Sequence, residues 1–146
     1  METDWNSVQY FKKSEFSDPD KMNPELIKAL DIYRRLVGNP VIIHSSYREG
    51  DSGQHGKGNA VDIHVKGISL IDAYLLAEKT GLFNGIGVYS WWKNRGLHLD
   101  VRPLQKDAPK ARWACDRTNH YIGLNWFFIR KVYELEKKEN ENGKQV

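Results

Sequence analysis

The chain has little cysteine: one residue in 146, Cys115. It therefore has no partner for an internal disulfide, and one thiol cannot build a cysteine-rich zinc site. Any metal would have to be held by the five histidines and the carboxylates. Long apolar runs are missing too, and nothing approaches the roughly 18 consecutive apolar residues that a membrane-spanning helix needs. Charge of one sign is also lacking. The 22 Lys+Arg against 19 Asp+Glu leave a formal charge of +3, too mild to point to a nucleic-acid partner. The opening METDWNSVQYFKKSEF has an early acid and no apolar segment, so it does not read as a secretory signal. There is no internal repeat and no low-complexity block.

What is present argues for one folded domain. Hydrophobic residues make up 40% of the chain, with five Trp, seven Tyr and five Phe, which excludes disorder throughout. The length suits a single core and is too short for two full domains. The domain is expected over 1–136, followed by a solvated tail over 137–146.

Asn23-Pro24-Glu25 opens a helix with a capping side chain, a proline in the first turn and an early acid. Leu26, Leu30, Ile32, Tyr33 and Leu36 form its apolar stripe, and Gly38-Asn39-Pro40 stops it. Val41-Ile42-Ile43-His44 reads as a short buried strand, with His44 as a satisfied core residue. A long polar, glycine-rich loop follows over 45–59, and such loops in small domains are functional or mobile. Ala60 to Val65 is a strand, Ser69 caps a second helix to about Lys79, and Gly81 ends it. Ile86–Tyr89 and Leu97–Val101 are further strands. A last helix from Asn125 carries Phe128, Ile129, Val132, Tyr133 and Leu135 on one side. Strands and helices mix without strict alternation, so the expected class is α+β, a small antiparallel sheet flanked by helices.

Two of these strands carry chemistry. Side chains two apart share a strand face, so Val61, Ile63 and Val65 can face the core while Asp62 and His64 point away from it. Likewise Leu97, Leu99 and Val101 point inward, and His98, Asp100 and Arg102 outward. If the strands are neighbours, those groups meet. His55 lies seven residues before Asp62 in a glycine-flanked loop that can fold back over the strand. Two histidines and an aspartate can hold a zinc ion with a fourth position left for water. On spacing alone the bland reading stands beside this one: a His or Asp on a strand face is usually a solvated surface residue.

His55-Gly56-Lys57-Gly58-Asn59-Ala60-Val61-Asp62 has the spacing His-x-x-Gly-x-Ala-x-Asp. Ser45-Ser46-Tyr47-Arg48 precedes it, and Gly85-Ile86-Gly87-Val88-Tyr89, His98-Leu99-Asp100-Val101-Arg102 and Ala111-Arg112-Trp113 follow in order; Phe11 to Phe16 also fits. This ordered set, over roughly residues 10 to 114, resembles the zinc D-alanyl-D-alanine carboxypeptidases and related peptidoglycan peptidases, which share their fold with the hedgehog signalling domain. The resemblance implies that His55, Asp62 and His98 are zinc ligands and that Arg48 helps hold substrate. Without it, Arg48 reads equally as a surface arginine pairing with Glu49 or Asp51.

Where relatives place a Glu or Asp as general base, three residues before the last ligand, this chain has Arg95. Gly96 stands where others have a histidine, and Gly53 where many have a serine. Two roles are open to Asp100: proton acceptor, or partner that orients a ligand histidine by accepting its free ring N–H. His64 is a second candidate as base or oxyanion stabiliser, or a structural neighbour of Asp62. Trp91, Trp92 and Tyr89 read as core or lid, with a cleft for sugar or peptide as the other possibility. Cys115 reads as a small buried side chain.

The implied activity is zinc-dependent hydrolysis of cell-wall peptides, as a carboxypeptidase or endopeptidase. The implied partner is a peptidoglycan stem peptide or a D-amino-acid dipeptide, with no nucleic acid and no membrane, acting as a monomer. A cytoplasmic enzyme or a phage endolysin released at lysis would suit a chain with this N-terminus. A non-catalytic zinc-containing binding module and a virion structural component are the rival readings.

Overall fold

The structure is a computed structural model that describes residues 2–118, 120–123, 134, 136–138 and 141. Helix α1 (Pro24–Val37) begins where Asn23 accepts a hydrogen bond from the Glu25 backbone N–H at 2.9 Å, and ends at Gly38 with φ of 73°. Its buried face is Leu26, Ile27, Ala29, Leu30 and Tyr33. Ile32 and Leu36, expected in that stripe, are 43% and 41% exposed instead. The stripe is rotated by the neighbouring helix α2 (Leu70–Thr80), against which Tyr33 packs and to whose Ala73 carbonyl its hydroxyl donates at 2.7 Å. Ser69 caps α2 by accepting from the Asp72 N–H.

Six strands make one sheet: β1 (Val41–Ser45), β2 (Ala60–Val65), β3 (Gly85–Tyr89), β4 (Gly96–Asp100), β5 (Ala111–Cys115) and β6 (Tyr121–Gly123), in the order β1-β2-β4-β3-β5-β6. The α+β class is as expected, but the sheet is mixed rather than antiparallel. β3 and β5 run parallel, Gly85 opposite Ala111 and Val88 opposite Ala114. The reason lies in the connection over 101–110. It carries the chain from the end of β4 back to the start of β3, so β5 sets out in the same direction as β3.

Both helices cover one sheet face. Leu26, Leu30, Tyr33, Ala73 and Ala77 share a core with Val61, Ile63, Leu97, Leu99 and Ile86. Phe11 and Phe16 close its N-terminal edge, their rings 5.6 Å apart. The opposite face of β2 and β4 is left for polar groups.

The last helix expected from Asn125 falls mostly outside the described residues, as do Phe128, Ile129, Val132, Tyr133 and Leu135. Glu134, Glu136, Lys137, Lys138 and Glu141 are helical, and Lys137, Lys138 and Glu141 are exposed. Glu136 accepts from the Leu70 N–H at 2.7 Å, placing an acid at the positive N-terminus of α2. No helix among the described residues is long and apolar enough to cross a membrane.

Candidate metal centre

β2 and β4 are direct neighbours, and their register sets Asp62 opposite His98. The alternation read from the sequence holds: Val61, Ile63, Leu97 and Leu99 are buried in the core while Asp62 and His98 face the other way. His55 comes from the β1–β2 loop, on a short 3-10 turn over His55–Lys57. That loop is pinned rather than loose. The Arg48 N–H donates to the His55 carbonyl at 3.1 Å, and the Asn23 N–H to the Gly58 carbonyl at 2.9 Å. Gly58 has φ of 72°, and a side chain there would overlap the Lys21 carbonyl.

Three atoms converge. His55 Nε2 and His98 Nδ1 each lie 3.3 Å from Asp62 Oδ1, and the three donor atoms all fall within 4.8 Å of one another. The separation of 3.3 Å is about the edge of a tetrahedron whose metal–ligand bonds are near 2.0 Å. The other nitrogen of each ring is already engaged. His55 Nδ1–H donates to the Ser46 carbonyl at 2.9 Å, and His98 Nε2–H donates to Asp100 Oδ2 at 2.7 Å. Each ring is thereby fixed in the tautomer that presents a lone pair to the shared point.

The charges answer one another. Burial alone would push the Asp62 carboxyl up, but the bonds and charges of His55 and His98 outweigh it and hold Asp62 well below the usual carboxylate range. Burial likewise would lower His98, and the Asp100 and Asp62 carboxylates reverse that, raising it.

Behind His98 stands a buttress. Asp100 is 0% exposed and holds Arg102 through both carboxylate oxygens, with Arg102 Nη2 to Oδ2 at 2.6 Å and Nε to Oδ1 at 2.9 Å. Burial opposes its ionisation, but His98 and Arg102 keep its carboxyl well below the ordinary range. The Trp113 ring packs on His98 with centroids 5.0 Å apart, and the Arg102 guanidinium lies over the same indole. Gly85 is required here, since a side chain at that position would overlap the Asp100 carboxylate. A carboxylate committed in this way, on the far ring nitrogen of His98, is an orienting group. Of the two roles open to Asp100, its bonds to His98 and Arg102 match the geometry of the orienting one.

The other residues singled out in the sequence fall as follows. Arg48 Nη2 lies 3.0 Å from Asp62 Oδ2 and its Nε donates to Ser45 Oγ at 2.8 Å, with Asp51 at 3.4 Å. It pairs with Asp51 as the bland reading had it, yet its shorter ion pair is with Asp62. His64 shares the strand face with Asp62, and its Nδ1 meets His44 Nε2. His44 is exposed, not a core residue. Arg95 is tied to Glu136 at 3.7 Å. Trp91, Trp92 and Tyr89 are not core. With Arg48, His98 and Tyr121 they line a cleft of about 360 Å³ over the cluster, Tyr89 stacked on Trp92 at 4.0 Å. Cys115 is buried, as expected, at the same cleft.

Sequence reasoning gave no role to Arg102 and Trp113, although both lie inside quoted motifs. Their signal was the outward position of Arg102 beside Asp100 and the small Gly85 and Gly87 across β3. Gly87 leaves room that the Trp113 indole fills. Two imidazole nitrogens and one carboxylate oxygen, fixed in orientation beside an open cleft, form a group that could hold a metal ion. No family model, curated protein or solved structure matches the chain.

Proposed function

We propose that the chain is a zinc-dependent peptidase of the hedgehog/D-alanyl-D-alanine carboxypeptidase type, hydrolysing peptide bonds in bacterial cell-wall peptides. The observation that carries this is the convergence of His55 Nε2, Asp62 Oδ1 and His98 Nδ1, each ring already fixed in the right tautomer. The donor set fits zinc, which accepts imidazole and carboxylate at tetrahedral spacing. Zinc held there supplies Lewis acidity that polarises a peptide carbonyl and acidifies water to near-neutral pH.

The remaining work falls to this chain's side chains. Arg48 holds Asp62 Oδ2, and its guanidinium, 47% exposed, keeps a further N–H on Nη1 and on Nη2 for a substrate carboxylate or carbonyl from the cleft. Tyr89, Trp91 and Trp92 supply flat apolar walls for an extended peptide or sugar ring. Asp100 and Arg102 keep His98 in place. With Asp100 engaged by His98 and Arg102, His64, two residues along β2 from Asp62 and on the same strand face, is the remaining candidate for proton acceptor. In that role His64 would take the proton from the attacking water and hand it to the leaving amine.

That commitment of Asp100 also favours a second reading, a zinc-containing binding module without turnover. One experiment separates them. Zinc-free protein is given limiting zinc and incubated with a D-alanyl-D-alanine dipeptide and with purified peptidoglycan stem peptides, and new amino groups are counted for wild type and His98→Ala. Zinc retention with amine release, both lost in His98→Ala, is the expected result. Zinc retention without amine release leaves the binding module, and no zinc retention overturns both.

A further inference from the structure

A second pair of imidazoles stands apart from the three converging atoms. Along β1 and β2, Ile42 opposes His64 and Ile43 opposes Ile63, but Ser45 rather than His44 opposes Asp62. This is a β-bulge, one extra residue on β1, and bulges re-aim side chains. Its effect is that two consecutive residues serve the same face. Ser45 Oγ reaches Arg48, and His44 reaches His64.

The two rings meet nitrogen to nitrogen, His44 Nε2 to His64 Nδ1, with centroids 4.7 Å apart and planes 22° from parallel. His44 is exposed and His64 partly so. Beside them opens a separate hollow of about 250 Å³, walled by His44, Asp62, Trp92 and Asn94.

We propose that His44 and His64 form a second cation site, a two-imidazole chelate for a borderline-soft divalent ion such as Zn²⁺ or Cu²⁺. Imidazole suits these ions and not Ca²⁺ or Mg²⁺, which want oxygen donors. The backbone pairing of β1 and β2 already brings the rings together, so little ordering entropy is spent in closing the chelate. The open hollow leaves positions for water. Asp62 lies two residues from His64, about 7 Å along the strand, and borders both clefts. Its charge draws a cation to this side without its metal-facing oxygen being shared. This site stands if no peptide is cut, and an ion held there would occupy the imidazole that the peptidase reading uses as proton acceptor.

The test uses the zinc-free full chain and Zn²⁺ alone, with bound metal counted by equilibrium dialysis for wild type, His44→Ala, His44→Gln and His98→Ala. The wild type is expected to take up about two equivalents and both His44 variants about one, since a single imidazole with water is a poor ligand set for zinc. His44 is exposed, so its replacement leaves the fold intact, and two variants guard against an accident of one. Cu²⁺ then gives an independent readout, an electron-spin spectrum with nitrogen hyperfine structure that disappears from the second equivalent in His44→Ala. The equivalent that depends on His44 is expected to persist in His98→Ala. A wild type that saturates at about one equivalent, or His44 variants that bind as much as wild type, would overturn the site and leave a simple imidazole–imidazole hydrogen bond. Loss of the His44-dependent equivalent in His98→Ala would overturn its separateness.

Discussion

Asp100 accepts the Nε2–H of His98 at 2.7 Å while the other nitrogen of the same ring, Nδ1, faces Asp62 at 3.3 Å. One imidazole thus links a fully buried carboxylate to the converging donor atoms. In the proposed metal site Asp100 would act through His98, fixing its tautomer and raising its basicity as a ligand.

Replacing Asp100 with Asn keeps the shape and removes the charge. Zinc affinity is expected to fall about 10- to 100-fold, read by competition with a chromogenic chelator. A proton acceptor would behave differently, with affinity unchanged and turnover lost. Unchanged affinity in Asp100→Asn would therefore return Asp100 to the base role.

Stability of the zinc-free protein should pass through a plateau in pH. Asp62 and Asp100 are both held below the ordinary carboxylate value, so their contribution is complete above about pH 4 and is lost as pH falls through their lowered values. His98 is raised, so its contribution is complete below about pH 6.5 and is lost as pH rises through its folded value. Urea midpoints measured with a chelator from acid to alkaline pH should be highest between those limits. Zinc reverses the second limb, because the ion requires His98 deprotonated. A midpoint that climbs steadily from neutral to alkaline pH in the zinc-free protein would contradict the pairing of His98 with two carboxylates.

Gly85→Ala places a methyl group into the Asp100 carboxylate. Asp100 cannot retreat, since Arg102 and His98 hold it, so the strand must shift. The expected cost is about 1–3 kcal/mol of stability, with weakened zinc binding. Gly38→Ala, at an open helix end where nothing lies within 4 Å, strains only its own positive φ and should leave zinc binding unchanged. Equal zinc affinities in the two variants would remove Gly85 from the account.

Strand alternation made the heart of the candidate site legible. The order Val61-Asp62-Ile63 and Leu97-His98-Leu99 admits one assignment of faces once a face is apolar, and the structure has it, although β4 is buried on both faces. The period of two says which face a residue takes but not what stands behind it, so Arg102 and Trp113 went unassigned and Asp100 kept two roles. The run Val-Ile-Ile reads as buried throughout, although alternation sets Ile42 and His44 on the polar face, and nothing local marks the bulge that adds Ser45 to it. The α1 stripe was rotated because helical period fixes the width of an apolar face, whereas the packing of α2 decides which residues of it are covered. The parallel pairing of β3 with β5 depends on the path over 101–110, where no local preference speaks.

The division of Asp62 between its two oxygens bears on which metals the chain can refuse. Oδ2 is taken by Arg48 at 3.0 Å, leaving only Oδ1 toward the histidines. Asp62 is thus a one-oxygen donor, and the group offers a single hard atom beside two nitrogens. Ca²⁺ surrounds itself with about six to eight oxygens and often grips a carboxylate by both, a mode that Arg48 on Oδ2 opposes. A guanidinium outside the donor set would thus disfavour Ca²⁺ by denticity at any metal held here, without any constriction at the cleft mouth.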